Sequence, residues 1–249
     1  MKQQLALAFL SVLTSAPSAL QALPADTDTA ATTAMVSDPC APPIPLPEER
    51  AQSDWPNLCK YRGANAALSR PTKVVFMGDS ITEGWVTGDP QLFVDGVIGR
   101  GISGQTSPQM LLRFFQDVIE LRPRVVHIMA GTNDIAGNTG PTTEQDFKNN
   151  IIAMVTLARA HHIQVALASI LPASSFSWRP GFKPAATIKG LNSWLRSYAQ
   201  QSHIRFIDYY AVLTDTQGGF KAELSDDGVH PNHDGYAAMR KPAQLSIAK

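Results

Sequence analysis

Lys73-Val74-Val75-Phe76-Met77-Gly78-Asp79-Ser80-Ile81-Thr82-Glu83-Gly84 decides how this chain is read. Residues 73–77 are apolar or β-branched after the lysine, with no polar alternation. That is the pattern of a strand covered on both faces. The run breaks at a glycine and delivers Asp79 and Ser80 to the strand's carboxyl end. Outward from it, Val94 to Ile98 reads as a weaker strand. Pro108 to Leu121 has helical spacing at Met110, Leu111, Phe114, Phe115, Val118 and Ile119. Arg124 to Met129 is a second strong strand. Thr143 to Ala160 is a helix with Phe147, Ile151, Met154, Val155 and Ala158 on one face. Gln164 to Ile170 reads as strand, Pro184 to Gln201 as helix, Ile204 to Ile207 as strand, and a last helix starts at Pro231. Strands alternating with helices of this length predict βαβ units, an α/β class and a parallel sheet. Ligands then sit outside the carboxyl ends of the strands.

The chain has 249 residues, with 21 Lys+Arg balanced by 21 Asp+Glu. A net charge of +0 with 17% charged residues leaves no electrostatic footprint for nucleic acid or an anionic membrane. A hydrophobic content of 44% excludes a disordered chain. Eight of the 18 prolines precede residue 58, so the folded domain is shorter than the chain. Lys2, an apolar run from Leu5 to Leu13, and small residues through Ala19 have the layout of a secretory signal, read over 1–22. The run is too short to span a bilayer, and no later stretch qualifies. Residues 23–70 read as a proline-rich strap, with Pro42-Pro43-Ile44-Pro45-Leu46-Pro47 extended. Residues 71–249 form the domain. Export, to periplasm or medium, favours a disulfide between Cys40 and Cys59. A reduced compartment would leave two thiols.

Four polar clusters fall at strand ends. They are Gly78-Asp79-Ser80, Gly101-Ile102-Ser103-Gly104, Gly131-Thr132-Asn133-Asp134 and Asp227-Gly228-Val229-His230-Pro231. Ser80, where a strand gives way to a helix, reads as a nucleophile or simply as a helix N-cap. Asp227 and His230 are three residues apart, so one turn can present both. The imidazole would move the serine proton and the carboxylate would fix its tautomer. The Ser80 and Gly104 backbone N–H groups and the Asn133 amide are candidate donors to an oxyanion. Gly104 and Asn133 read equally as turn and capping residues. Asp226, Asp227, His230, His233 and Asp234 crowd together, but without a typical zinc spacing. Gly99-Arg100-Gly101-Ile102-Ser103-Gly104 also fits a dinucleotide-binding fingerprint. It lies in the second βα unit, and no acidic residue ends a strand about 20 positions later.

Together the four clusters resemble the blocks of the SGNH (GDSL-type) hydrolase superfamily, over about residues 72 to 245. In motif style they look closest to bacterial relatives of platelet-activating-factor acetylhydrolase subunits. The resemblance implies a three-layer α/β/α sandwich, flavodoxin-like, with about five parallel strands. It implies ester hydrolysis through an acyl-enzyme, without metal or organic cofactor. Ser80 is then the nucleophile, Asp227 and His230 its relay, and Ser80, Gly104 and Asn133 the oxyanion hole. Trp85, Phe176, Trp178 and Phe182 are candidate substrate contacts, stacking on a sugar or lining an acyl pocket. Phe176, Trp178 and Phe182 sit in one long loop and read equally as its anchors, and Trp85, soon after Ser80, is open to the same two readings. Asp79 and Asp134 read as setters of their own turns, and His127, His161, His162 and His203 as structural or exposed. The function expected is a secreted esterase for short acyl groups, acetyl groups on carbohydrate included. The alternatives are a lysophospholipase or thioesterase, and a non-catalytic carbohydrate-binding protein.

Overall fold

The structure, a computed structural model, describes Cys40 and residues 54–247. The expected export signal and Pro42–Pro47 lie outside the described residues. Five strands form one parallel sheet: β1 (Val74–Gly78), β2 (Val97–Gly101), β3 (Val125–Ile128), β4 (Gln164–Ala168) and β5 (Arg205–Ile207). Their order is β2-β1-β3-β4-β5. Met77 is in register with Arg100 on one side and Ile128 on the other. The chain leaves β1 toward β2, then returns past it to β3. That reversal opens a crevice between the carboxyl ends of β1 and β3.

Every residue of β1 is buried, and its side chains divide between two cores. Val75 and Met77 pack with Val126, Ile128 and the apolar faces of α3 (Ser107–Phe114), α5 (Glu144–Ala160) and α6 (Ala185–Gln201). Val74 and Phe76 pack with α2 (Ser80–Gly88), α7 (Tyr210–Leu213) and α8 (His233–Ile247). The result is the expected three-layer sandwich. Two further short helices, α1 (Arg62–Ala66) and α4 (Thr132–Ala136), complete the α-helices among the described residues.

Three local expectations shift. The second strand starts at Val97, three residues later than expected. Asp95 and Gly96 take positive φ and make a turn, and a Cβ on Gly96 would lie 2.7 Å from Pro71 O. The strand therefore runs through Gly99-Arg100-Gly101. A Cβ on Gly101 would sit 2.2 Å from the Glu83 backbone N. These glycines let α2 press onto β2, which is a packing role and not a pyrophosphate cradle. The helix from Ser107 widens into a π turn over Phe115–Ile119. The wider turn moves Phe115 out of the core to 52% exposure and turns Asp117 inward. Finally α8 begins at His233, because the Asn232 side chain accepts the Gly235 N–H and caps the helix.

His127 on β3 is fully buried. Its ring stacks on Phe76 at 4.4 Å, and Nε2 meets Tyr209 Oη at 2.9 Å. Burial pushes its pKa down to about 3. The unfolded chain takes up this proton near the ordinary imidazole value, so stability is full above that value and falls below it. The loss from this residue reaches about 2 kcal/mol at pH 5. Urea unfolding at pH 7.5 and pH 5 should show that drop. A His127→Phe/Tyr209→Phe double variant should lose that share of it. An undiminished drop in the double variant would contradict the assignment.

Candidate active site

The turn after β1 carries the serine. Asp79 is the N-cap of α2, its Oδ1 accepting the Ile81 N–H at 3.0 Å. Ser80 is thus the first helical residue and is not the cap, which leaves its hydroxyl free at the sheet edge. Its Oγ lies 2.9 Å from His230 Nε2. His230 Nδ1 lies 2.7 Å from Asp227 Oδ2. The other carboxylate oxygen of Asp227 accepts the backbone N–H groups of Val229 (2.8 Å) and His230 (2.7 Å). Gly228, at φ +76°, lets the loop turn tightly enough to do this. Ser225 Oγ donates to His230 O at 2.7 Å and fixes the imidazole's backbone. Partial burial alone would raise the Asp227 pKa. The hydrogen bonds from the His230 ring and from both N–H groups outweigh it and hold the carboxyl at about 2.

The other clusters meet this trio at the crevice. Ser80, Ser103, Gly104, Asn133, Asn138, Trp178 and His230 line one open cleft of about 540 Å³. A larger hollow of about 720 Å³, lined by Arg159, His162, His203 and Arg205, carries none of these groups. Gly104 has φ +77°, which favours glycine. Asn133, in the first turn of α4, is not a cap. Its Nδ2 donates to Gln105 O at 3.0 Å and approaches Asp79 Oδ2 at 3.4 Å. Burial raises the Asp79 carboxyl to about 6. Asp79 sets its own turn, as expected. Asp134 does not. Its carboxylate reaches across to the Ser107 N–H and hydroxyl at the start of α3. His233 and Asp234, part of the acidic crowd in the sequence, point into solvent.

Of the four expected substrate contacts, only Trp178 reaches the cleft, at 45% exposure. Trp85 is fully buried in the second core, stacked on Tyr236 and edge-on to Phe76. It comes five residues after Ser80, which at 100° per residue puts it on the far side of α2. Phe176 is 1% exposed and belongs to the first core. Phe182 packs under the Arg179 guanidinium and faces a separate hollow with Ile135 and Phe147.

Sequence reasoning did not single out the supports. Arg113 is sealed beneath the site and donates to Gly78 O (2.9 Å), Gln105 Oε1 (2.6 Å) and Asp117 Oδ2 (3.0 Å). The strap is tied in above it. Gln105 Nε2 donates to Pro56 O, Gln109 Nε2 to Trp55 O, and Tyr61 Oη to Gly101 O. Lys60 pairs with Glu83, whose second oxygen accepts both the N–H and the hydroxyl of Ser103. Cys40 and Cys59 are joined in a disulfide. An Arg113–Asp117 pair at helical spacing is visible in sequence, but its burial is not.

Residues 76–238 match the model of the GDSL-like lipase/acylhydrolase family. The chain belongs to that family. It is similar to a GDSL-like lipase of Bacteroides thetaiotaomicron at 44% identity and a TM-score of 0.74, covering 78% of this chain and 98% of that one. A Bacteroides fragilis structure provisionally assigned as an acylhydrolase gives 47% identity and the same TM-score, covering 78% and 96%. An uncharacterised lipoprotein of Bacillus subtilis is 34% identical over 79 residues, 30% of this chain and 32% of its own length. The match thus spans about a third of that curated relative. Among the described residues, no helix is long and apolar enough to cross a membrane.

Opening the disulfide should release the strap. Cys40→Ser/Cys59→Ser is expected to cost roughly 3 kcal/mol of unfolding free energy in the chain-entropy model. Denaturant titration with and without reductant reads this. An unchanged midpoint would show that the strap is held by its hydrogen bonds alone.

Proposed function

We propose that the protein is an exported serine esterase that removes short acyl groups, acetyl foremost, from carbohydrate. The observation that carries the catalytic part is the unbroken contact line Ser80 Oγ, His230 Nε2, His230 Nδ1, Asp227 Oδ2. Ser80 Oγ attacks the ester carbonyl while His230 Nε2 takes its proton. The carbonyl oxygen becomes an oxyanion held by the Ser80 and Gly104 N–H groups and Asn133 Nδ2. The long Asn133–Asp79 contact is weak, so a full negative charge in the cleft can draw that amide proton. His230 then protonates the departing alkoxide, leaving an acyl-Ser80. Water repeats the sequence, giving up a proton to His230 and releasing the acid, and the proton returns to Ser80. Asp227, held at about 2, stays ionised across the working range and keeps the imidazole oriented.

The shape of the cleft supports a short acyl group on a sugar. It is open, its walls carry Ser103, Asn133 and Asn138, and its aromatic contact is the single ring of Trp178. A flat exposed ring among hydrogen-bonding groups suits a pyranose. The disulfide supports an oxidising compartment, periplasmic or extracellular. The balanced charge of the chain gives no pull toward polyanions.

Two measurements follow. Asn133→Ala should lower kcat roughly 10²–10³-fold on 4-nitrophenyl acetate, and an undiminished kcat would remove Asn133 from the oxyanion hole. Across 4-nitrophenyl esters of increasing length, kcat/KM should be highest at acetate, and acetylated xylan should be deacetylated. A maximum at long chains, with lysophospholipid turned over and xylan untouched, would move the substrate class to lipid.

A further inference from the structure

The amide of Asn133 sits within a hydrogen-bond chain that runs from the cleft surface to the Gln105 carbonyl. Trp178 Nε1–H donates to Asn138 Oδ1 at 2.9 Å. Asn138 Nδ2 donates to Asn133 Oδ1 at 2.6 Å. Asn133 Nδ2 donates to Gln105 O at 3.0 Å. The two ends fix the polarity of the whole chain. An indole N–H can only donate and a backbone carbonyl can only accept. Each asparagine between them therefore has one orientation that satisfies every bond. That orientation turns Asn133 Nδ2, and not Oδ1, toward the region where an oxyanion would form.

The surrounding backbone holds the chain in place. Gly137, at φ +70°, ends α4 and turns the chain back, and the Asn138 N–H then bonds Asn133 O at 3.1 Å. Arg179 donates to Ile135 O and Ala136 O, both at 2.9 Å, and so pins the loop that carries Trp178 onto the end of α4. The Trp178 ring stacks on buried Phe176 at 5.0 Å, and its remaining surface is open to the cleft. The residue that a substrate ring would touch is thus two hydrogen bonds from the amide that would stabilise the transition state.

We propose that Trp178 and Asn138 are positioning residues that hold Asn133 as the oxyanion donor, and that a substrate ring seated on Trp178 tightens that hold. This rests on the reading of Asn133 given above. The chemical class selected is an acyl ester carried by a ring with a stacking C–H face, such as a pyranose. Binding energy gained at the ring then appears partly as kcat, because it orders a donor used in the transition state.

The test uses the full chain, with methyl acetate as a substrate too small to cover the indole and an acetylated xylo-oligosaccharide as one that covers it. Trp178→Phe keeps a smaller stacking ring and removes the N–H donor. It should lower kcat on both substrates roughly 3- to 10-fold, the worth of one hydrogen bond, with KM for methyl acetate unchanged. Asn138→Ala should lower kcat by a similar factor, and the pair combined should fall little further than either alone, since both break one chain. Trp178→Ala should also raise KM for the oligosaccharide and leave KM for methyl acetate unchanged. Asn133→Ala separates the two levels. If it leaves kcat intact, the oxyanion reading itself fails. If it lowers kcat while Trp178→Phe and Asn138→Ala match the parent enzyme, the oxyanion reading stands and the positioning chain is refuted.

Discussion

The guanidinium of Arg113 ties the site together from below. It is fully buried and reaches three separate pieces of chain: the end of β1 through Gly78 O, the loop after β2 through Gln105, and its own helix through Asp117. Gln105 in turn offers its carbonyl to Asn133. One cation thus sets the spacing between the Ser80 turn, the Gly104 loop and the α4 amide. A buried charge without a partner costs several kcal/mol, so this geometry is tolerated only because Asp117, one turn along, faces inward beside it. The π turn after Phe114 is what aims Asp117 there. Asn65, which bonds Asp117 and Arg100, carries the same network out to the strap.

Three acidic residues near the cleft are tuned differently by their surroundings. Asp227, half-exposed and hydrogen-bonded on both oxygens, is kept ionised. Asp79, sealed under the serine, is pushed up by burial, with its N-cap bond to Ile81 only partly offsetting that. Asp134 is likewise raised by burial, against the pull of its bonds from Ser107. At about 6, Asp79 still carries its charge through most of the neutral range, and its Oδ1 caps α2. The relay and the cap use the same side-chain type, and burial separates their roles.

Most of the architecture was legible because its signals are periodic. An unbroken apolar run gave β1, and the i, i+3, i+4 rows gave α5 with its core face. The four polar clusters sat where a parallel sheet places ligands, and the structure brings Ser80, Gly104, Asn133 and His230 to one cleft with Asp227 behind His230. What failed was local register. The Asp95-Gly96 turn delayed β2, and the π turn displaced Phe115. Trp85 was expected in the cleft from its nearness to Ser80, although its helical phase points it away. Phe176 and Phe182 lie in an irregular loop, where no period separates anchor from surface. Asn138 carries no signal that singles it out in the sequence. Its role depends on Trp178, 40 residues later, and no spacing rule links the two.

The central claim is that Ser80 is the residue that becomes acylated, activated by His230. A serine-directed fluorophosphonate followed by peptide mass mapping tests it most directly. The modification should fall on Ser80, and the rate of labelling should collapse in His230→Ala. Labelling at another serine, or a rate in His230→Ala equal to that of the parent protein, would contradict it.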